Sequence, residues 1–311
     1  MTRLTDFFAA RPLMLGSRAS ALALAQADIV RDRLAPLATD ILSLTTRGDR
    51  ILDRSLADAG GKGLFVKELE RQLLDGGCDA AVHSMKDMET VFADGTAIAA
   101  VLPREDRRDA LVGPFATIDS LPQGAVVGTA SVRRQALLCH YRPDLRIELL
   151  RGNINTRLAA LAEGRYDAII LAIAGLRRLA LDVPHTPLDP AIMPPAAAQG
   201  ALAIQIRDAD DDRGRAVADA IASLNCAKAS AEVTAERAML AHLDGSCHTP
   251  IAASATLDDD GTLHLDGMVL SPDGVVAHRD SETAPQEDAT ELGQQLGARL
   301  LDAAGGRGFL A

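Results

Sequence analysis

Short apolar runs alternate with amphipathic helical patterns over the first half of the chain. The N-terminal runs predict strands at Leu13–Leu15, Ile41–Thr45 and Asp79–Val82. Between them the spacing predicts a helix that starts at Ser20, a typical N-cap residue, and a second helix over Leu64–Leu74. This alternation of strands and helices predicts a largely parallel sheet.

The same arrangement begins again further along the chain. Strands are predicted at Ala125–Val127, Arg146–Leu150 and Tyr166–Ile173, and helices at Val132–His140, at Thr156–Ala162 and after Gly175. In each case a strand runs into a polar loop that opens a helix. Ligands of open α/β sheets bind beyond the carboxyl ends of the strands. We therefore expect the polar loops to lie on one rim, and two such domains facing each other to form a cleft.

The pattern changes after Leu224. A helix over Lys228–Leu243 precedes the segment DGSCHTP, and alternating strands with Asp-Gly turns at Asp260-Gly261 and Asp273-Gly274 follow. These features predict a small α/β domain with an antiparallel sheet. The fold class expected for the whole chain is α/β, with two doubly wound sheets and this third domain. The expected domain boundaries are 12–105 with 200–219, then 106–199, then 224–311.

Composition and charge limit the ligand that such a protein can bind. The chain has 311 residues, 48% hydrophobic and only 3% aromatic, and its formal net charge is −11. Residues 108–195 hold ten arginines against eight acidic residues, whereas residues 226–311 hold five basic against fourteen acidic residues. Binding to nucleic acid needs a broad basic face, which this distribution does not provide. We expect instead a small anion that is bound locally.

Four cysteines, Cys78, Cys139, Cys226 and Cys247, lie far apart in the sequence. They form no CxxC pair and have no histidine at ligand spacing, which argues against a zinc site and a disulfide framework. We therefore expect reduced thiols and no bound metal. The sequence shows no apolar stretch long enough to span a bilayer and no signal peptide pattern before the first strand. We expect a cytoplasmic protein without a membrane partner.

Arginines recur in loops that are rich in Gly, Ser, Thr and Asn. They are Arg18 in GSRAS, Arg47 in TTRGD, Arg133 and Arg134 in GTASVRR, and Arg151 and Arg157 in RGNINTR. A single loop arginine most often forms an ordinary ion pair. Six in matching contexts indicate an anion site, because the amides of a helix N-terminus point at the same ligand. The chain is expected to bind a ligand with many carboxylates or phosphates.

Three further motifs are candidates for chemistry. Cys247 lies in a loop between an acidic residue and a histidine, so it is a candidate nucleophile, although an arbitrary cysteine is more often structural. Asp87 in HSMKD is either a surface ion-pair partner of Lys86 or a carboxylate kept ionised by arginines to stabilise a cation. The segment GGKG lacks the spacing of a P-loop, and we interpret it as a flap carrying Lys62 and Phe65.

Nine segments, in order and over nearly the whole chain, resemble one protein family. They are TTRGD, GGKGLFVKELE, AVHSMKD, GTASVRRQ, LRGNINTRL, YDAIILAIAGLRRL, AQGALAI, VTAERAML and DGSCHTPI. Together they resemble the porphobilinogen deaminase family, also called hydroxymethylbilane synthases. The sequence departs from the family pattern at Met88-Glu89, Ala130, Ala198 and Ser246, which bears on local loop geometry rather than on the chemistry.

The resemblance implies a three-domain transferase whose first two domains are similar to periplasmic binding proteins. It implies a dipyrromethane cofactor in thioether linkage to Cys247. It also implies that four porphobilinogen molecules are joined head to tail with loss of ammonia, and that hydrolysis then releases hydroxymethylbilane for tetrapyrrole synthesis. Every pyrrole bears an acetate and a propionate, which accounts for the arginine-rich loops. We expect porphobilinogen as the partner and a monomeric protein.

The resemblance also implies a role for each matching residue. Asp87, with Arg18 and Lys86, would form the catalytic group, and Asp87 would stabilise the cation left when ammonia departs. The cofactor would be held by Cys247, Ser84, Lys86, Asp87, Thr129, Ser131, Arg133, Arg134, Arg151 and Gly152. The substrate would be held by Arg18, Ser20, Arg151, Arg157, Arg178 and Gln199, with Lys62 and Phe65 on the flap. The proton donor to the leaving amine stays open, since arginine is a poor general acid.

Two other function classes stay open on the residues alone. A two-lobed solute-binding protein would explain the repeated units and the anion loops, but not the third domain with its cysteine loop. A phosphate-transfer enzyme is disfavoured because the Walker A spacing and an evident group of metal-binding carboxylates are missing. Consumption of porphobilinogen separates the first alternative from the transferase, and resistance of the activity to EDTA separates the second.

Overall fold

A computed structural model describes residues 2–45, 66–246 and 249–310 of the chain. The predictions made for Arg47, Lys62, Phe65 and Cys247 lie outside these residues. The described residues form two compact units. The first unit is built from residues within 1–51, 61–104 and 201–230, and the second from residues within 105–200 and 231–311.

The strands of the described residues are numbered in chain order. They are β1 (Leu13–Arg18), β2 (Thr39–Leu44), β3 (Ala80–Ser84), β4 (Thr96–Val101), β5 (Asp109–Val112), β6 (Val126–Thr129), β7 (Arg146–Leu149), β8 (Ala168–Ala172), β9 (His185–Pro187), β10 (Leu202–Arg207), β11 (Ile251–Leu257), β12 (Thr262–Leu270) and β13 (Ala277–Pro285). Each strand predicted from the apolar pattern is present, with small differences at its ends.

The α-helices are numbered in the same way. They are α1 (Thr2–Ala10), α2 (Ala21–Leu34), α3 (Lys67–Leu74), α4 (Val132–Tyr141), α5 (Ile154–Ala162), α6 (Ile173–Arg178), α7 (Asp212–Ala222), α8 (Ala227–His242) and α9 (Ala289–Ala303). Ser20 caps α2 as predicted, because its hydroxyl accepts a hydrogen bond from the Ala23 amide. Gly175 lies inside α6, whereas the prediction placed the helix after it.

The first two sheets have the same topology. One has the strand order β2-β1-β3-β10-β4, with β1 parallel to β2 and β3, and with β10 antiparallel to β3 and β4. The other has the order β7-β6-β8-β5-β9, with β6 parallel to β7 and β8, and with β5 antiparallel to β8 and β9. Both sheets are therefore mixed rather than largely parallel, because β5 and β10 enter them in the opposite direction.

The third sheet is antiparallel, as predicted, with the order β11-β12-β13. Its two connections contain Gly261 and Gly274, which have φ of 88° and 75°, in the left-handed region that glycine adopts without strain. Apolar side chains of α8 and α9, such as Met239 and Leu296, pack with Leu265 on this sheet. The α/β fold class with an antiparallel C-terminal sheet is thus confirmed.

Packing of the first unit fixes the ends of its parallel strands. Leu15, Val82 and Ile204 are buried and pack with Val30 of α2 and Val217 of α7. Burial of one such side chain contributes about 1.5–3 kcal/mol. Because these residues come from three neighbouring strands and from both helices, the carboxyl ends of β1 and β3 are held in register at one edge.

A glycine on the second strand of each mixed sheet, β1 or β6, permits close packing next to the edge where the parallel strands end. A Cβ on Gly16 in β1 would lie 2.8 Å from Cys78 Sγ, and a Cβ on Gly128 in β6 would lie 2.8 Å from Tyr166 Cδ1 and 2.9 Å from Leu150 Cδ2. Any larger residue would push these neighbours away. Both glycines stand directly before the polar residues that leave the sheet.

Candidate active site

The first rim is the edge of the first sheet at which β1 and β3 end. Arg18 is the last residue of β1, and Asp87 closes a 3-10 turn, Met85–Asp87, that follows β3. Arg18 Nη1 and Asp87 Oδ2 are 3.9 Å apart, and the two side chains are 22% and 37% exposed. At this distance and exposure the pair is a loose ion pair. The Asp87 carboxylate therefore stays accessible to a ligand.

Local hydrogen bonds hold the loop that carries Arg18. The buried Ser17 hydroxyl donates to the Ala23 carbonyl at 3.0 Å, and the half-buried Ser20 caps the same turn of α2. These bonds fix the backbone on both sides of Arg18. Lys86, in the same 3-10 turn as Asp87, is also half-buried. Arg18 and Ser20 thus lie where β1 leads into α2, and Lys86 and Asp87 lie in the turn that follows β3.

Ser84 reaches this rim through a partner that the sequence analysis missed. Gln26 is buried on α2, and its Nε2 donates to Ser84 Oγ over 2.8 Å. The bond ties α2 to the end of β3. Gln26 lies on the face of α2 that buries Ala23, Ala27 and Val30. A polar residue on that apolar helical stripe is the signal that could have identified it.

His83 lies directly below the first rim, on β3. Its side chain is buried, and no hydrogen-bond partner of its Nε2 is present in the described part of the chain. Burial lowers the pKa of His83 to about 4, with a smaller contribution from the positive charge of Arg18 and opposition from Gln205. His83 is therefore neutral at pH 7, and it adds no positive charge beside Arg18.

The second rim is the edge of the second sheet at which β6, β7 and β8 end. Thr129 is the last residue of β6, and its Oγ1 accepts a hydrogen bond from the Ser131 amide at 3.2 Å. Ser131 is the N-cap of α4, and its Oγ accepts a bond from the Arg134 amide at 3.4 Å. The predicted polar loop is therefore organised as a capped helix start.

Arg133 and Arg134 are buried rather than displayed on the surface of this rim. They are 4% and 5% exposed, and both bind Asp109, which is fully buried. The Nη2 atoms of Arg133 and Arg134 lie 2.7 Å from Asp109 Oδ2 and Oδ1 respectively. Their Nη1 atoms donate to the carbonyl groups of Pro194, at 2.5 Å, and Ile170, at 3.0 Å.

The charges of this cluster do not cancel. Burial opposes ionisation of Asp109, but the adjacent charges and hydrogen bonds of Arg133 and Arg134 outweigh it and lower the pKa of Asp109. One carboxylate against two guanidinium groups leaves one positive charge. The Nε atoms of both arginines also have no hydrogen-bond partner among the described residues. This donor set suits an anionic group such as a pyrrole carboxylate.

Gln199 belongs to the same cluster. It is 1% exposed, and its Nε2 donates to Asp109 Oδ1 and to the Arg107 carbonyl, each at 2.8 Å. The preceding Ala198 has φ of 58°, which is unusual for a residue with a Cβ. The Ala198 amide donates to Glu236 Oε2 at 2.6 Å. A glycine would adopt this φ without strain.

The remaining arginines predicted to bind substrate follow β7 and β8. Gly152, with φ of 100°, turns the chain after Arg151, and its carbonyl accepts a bond from Arg157 Nε at 2.9 Å. Arg178, in the last turn of α6, donates through Nη2 to the Gly200 carbonyl at 2.6 Å. Burial lowers the pKa of Arg178 to about 10, against the opposing charge of Glu105, so Arg178 stays positively charged at pH 7.

The described flanks of the cysteine loop are bonded to each other. The Ser246 amide donates to Thr249 Oγ1 at 2.9 Å, and the Thr249 hydroxyl donates to the Ser246 carbonyl at 2.8 Å. Cys247 itself lies outside the described residues. Of the other departures from the family pattern, Met88 is buried and Ala130 is exposed.

No group of three or more His, Cys, Asp or Glu side chains within the described ranges could hold a metal ion. No helix in the described part of the chain is long and apolar enough to cross a membrane.

Comparison with known proteins gives consistent matches along the chain. Residues 13–215 match the family model described as "Porphobilinogen deaminase, dipyromethane cofactor binding domain", and residues 230–302 match "Porphobilinogen deaminase, C-terminal domain". The porphobilinogen deaminase of Nitrobacter hamburgensis is 46% identical over 303 residues, which cover 95% of this chain and 94% of that protein. That of Paracoccus denitrificans is 47% identical over 308 residues, 96% of each chain.

Similarity to solved structures is weaker. The VFT2 domain of BvgS from Bordetella pertussis is 16% identical, covers 72% of this chain and 93% of its own, and has a TM-score of 0.40. A TM-score of this size carries no argument about fold or function.

Proposed function

Because the chain belongs to the porphobilinogen deaminase family, we propose that the residues of its two rims hold porphobilinogen and the growing pyrrole chain. The protein is a transferase that joins four porphobilinogen molecules head to tail and releases linear hydroxymethylbilane for tetrapyrrole synthesis. In each addition a C–N bond breaks and ammonia leaves, and a C–C bond forms at a pyrrole carbon that loses its proton. One water molecule is consumed when the product is released by hydrolysis.

Asp87 is the proposed catalytic carboxylate. The observation that carries this assignment is its position at the first rim, 37% exposed and 3.9 Å from Arg18. A carboxylate that is only loosely paired can accept the N–H of a pyrrole and stabilise the positive charge that develops as ammonia leaves. Arg18 then binds a substrate carboxylate, since an arginine is a poor general acid. Lys86, in the same 3-10 turn as Asp87, adds a second positive charge to the first rim.

The second rim is the proposed site for carboxylates of the cofactor and the growing chain. Two observations support this site: the Asp109 cluster pairs one carboxylate with two guanidinium groups, and within residues 2–45, 66–246 and 249–310 the Nε atoms of Arg133 and Arg134 have no hydrogen-bond partner. The residues proposed to hold these carboxylates are Thr129, Ser131, Arg133, Arg134, Arg151, Gly152, Arg157, Arg178 and Gln199. These residues would hold the carboxylates of a bound dipyrromethane cofactor, which would supply the pyrrole carbon for the first addition.

Consumption of porphobilinogen by the purified protein is the primary test. We expect formation of hydroxymethylbilane with release of four ammonia molecules per product. A binding protein would take up porphobilinogen without consuming it, which would exclude the transferase. Activity that survives EDTA is expected as well, and loss of activity on metal removal would indicate a different chemistry.

Cys247 is the proposed attachment point of the cofactor. Intact-mass measurement of the denatured protein is expected to show an adduct equivalent to two pyrrole units. Cys247→Ala should lack this adduct and the activity, whereas Cys226→Ala, a matched control at a half-buried free cysteine, should keep both. An unmodified parent protein with full activity would contradict a covalent cofactor.

The domain boundaries, the oligomeric state and the location in the cell are part of the same proposal. We assign the domains to residues 12–105 with 200–219, 106–199 and 224–311, and we expect a monomer in the cytoplasm. The three described free cysteines, Cys78, Cys139 and Cys226, suit a reducing compartment. Limited proteolysis with mass mapping tests the domain boundaries, light scattering tests the oligomeric state, and cell fractionation tests the location.

A further inference from the structure

Asp109 binds both buried arginines of the second rim. It is the first residue of β5 and pairs with Ala172, the last residue of β8. Because β5 runs antiparallel to β8, this start of β5 lies at the edge where the parallel strands of the second sheet end. No role was expected for Asp109 from its sequence neighbourhood.

One carboxylate group fixes three side chains at this edge. Asp109 binds Arg133 and Arg134 at 2.7 Å and Gln199 at 2.8 Å, and all four residues are at least nine-tenths buried. A free arginine side chain has a large rotamer entropy. Side chains that are held before a ligand arrives do not lose that entropy on binding, so the ligand is bound more tightly.

Asp109 also determines how much positive charge the rim presents. Without it, Arg133 and Arg134 would be two like charges packed side by side in a buried site. With it, one positive charge remains for an anionic ligand. The carboxylate therefore controls both the orientation and the net charge of the two arginines.

We propose that Asp109 is a positioning residue for the transferase: it orients Arg133, Arg134 and Gln199 to receive a carboxylate of the cofactor or the growing pyrrole chain. This inference rests on the proposed function of the second rim. Asp109 itself does not touch the reacting atoms.

The test compares Asp109→Asn with a matched control. Asp109→Asn keeps the shape of the side chain and removes its charge. Asp79→Asn breaks a similar contact, in which Asp79 binds Arg213 through both oxygens at 2.6 and 2.7 Å, before the start of β3 and away from either rim. Each protein is measured well below its own unfolding midpoint. The readouts are the fraction carrying the adduct, by intact mass, and turnover per adduct-bearing molecule.

We expect the adduct fraction or the turnover per adduct-bearing molecule of Asp109→Asn to fall about tenfold or more, since small displacements of positioning groups have effects of this size. Asp79→Asn should lose stability but keep both values. Parent-like values for folded Asp109→Asn, or equal losses in both variants, would overturn the proposal. If Asp109→Asn does not fold, Asp109→Glu serves instead. It keeps the charge but moves the arginines, and parent-like values there would also count against the proposal.

A structural readout separates this inference from the proposed function. Crystal structures of the parent and Asp109→Asn should show the guanidinium groups of Arg133 and Arg134 displaced in the variant. Unmoved arginines would refute the positioning role even if the protein is the expected transferase. A parent protein without adduct or turnover would refute the proposed function. Displaced guanidinium groups in Asp109→Asn would then have no bearing on catalysis.

Discussion

The two rims use the same pair of residue types, arginine and aspartate, in opposite states of burial. At the first rim, Arg18 and Asp87 are 3.9 Å apart and partly exposed. At the second, Asp109 is fully buried and binds Arg133 and Arg134 at 2.7 Å. The sheets that carry them have the same topology, so topology alone does not determine the role of a rim carboxylate. The burial of the carboxylate determines this role. The accessible carboxylate can act on a ligand, and the buried carboxylate orients its neighbours.

The burial of each aspartate follows from its position relative to the sheet. Asp87 stands in a 3-10 turn after β3 has ended, so its side chain leaves the sheet. Asp109 is part of β5, an inner strand between β8 and β9, and every residue of β5 is buried. A buried carboxylate requires partners to remain ionised, and the two arginines provide them.

The largest difference between the rims is expected in catalysis. Asp87→Asn should lower turnover by roughly 10²–10³-fold while the adduct is retained, because it removes a charge that stabilises the developing cation. Steady-state kinetics and intact mass measure the two effects. Asp94→Asn, at an exposed position of the same unit, is the control and should behave like the parent protein. Normal turnover of Asp87→Asn would make Asp87 a structural residue.

The free energy of unfolding, in contrast, should depend more on Asp109 than on Asp87. Asp109→Asn should lower the free energy of unfolding by about 3–5 kcal/mol, because it leaves two buried charges without a partner. Asp87→Asn should change it by less than about 1 kcal/mol, since that pair is exposed and loose. Denaturant unfolding of both variants measures the difference. Equal values would mean that burial does not distinguish the rims.

As the pH falls, protonation of His83 should lower the free energy of unfolding before protonation of Asp109 does. The pKa of His83 is lowered to about 4 in the folded protein, while the unfolded chain takes up this proton near pH 6.5. The unfolded state therefore binds more protons between these values, and the free energy of unfolding should fall by roughly 3 kcal/mol as the pH drops through this window. The folded pKa of Asp109 is also lowered, so its stabilising contribution is lost only below the ordinary aspartate range.

Unfolding of His83→Gln as a function of pH isolates the first of these effects. The variant should show a flatter dependence between pH 6.5 and about 4 than the parent. An unchanged slope in His83→Gln would show that His83 is protonated equally in the folded and unfolded states.

The smallest expected effect concerns the backbone that leads to Gln199. Ala198→Gly should raise the free energy of unfolding by about 0.5–1 kcal/mol, because the left-handed φ of 58° is unfavourable for alanine. Thermal unfolding measures the gain. Ala197→Gly, the neighbouring buried alanine without a positive φ, should be destabilising instead. A loss of stability in Ala198→Gly would mean that packing of the methyl group outweighs backbone strain.

Local features of the fold were predictable from the sequence because they depend on neighbouring residues. The strand, loop and helix order of both units, the Ser20 cap and the antiparallel third sheet all follow from short-range patterns. The predictions missed β4, β5, β9 and β10, and so gave no sign that β5 and β10 run antiparallel to their neighbours. As a result, the sheets were expected to be largely parallel. The site residues were identified through the family motifs, and their catalytic and binding roles stay predictions.

The sequence by itself determined which residues carry charge at the two rims, and family motifs indicated what chemistry they serve. Only the tertiary structure decided which of those charges are paired and which stay accessible. Asp109 is 24 and 25 residues from its two arginines and 90 from Gln199, and the fold brings them together only when β5 pairs with β8. No local pattern specifies such a contact, because it depends on burial that the whole sheet creates.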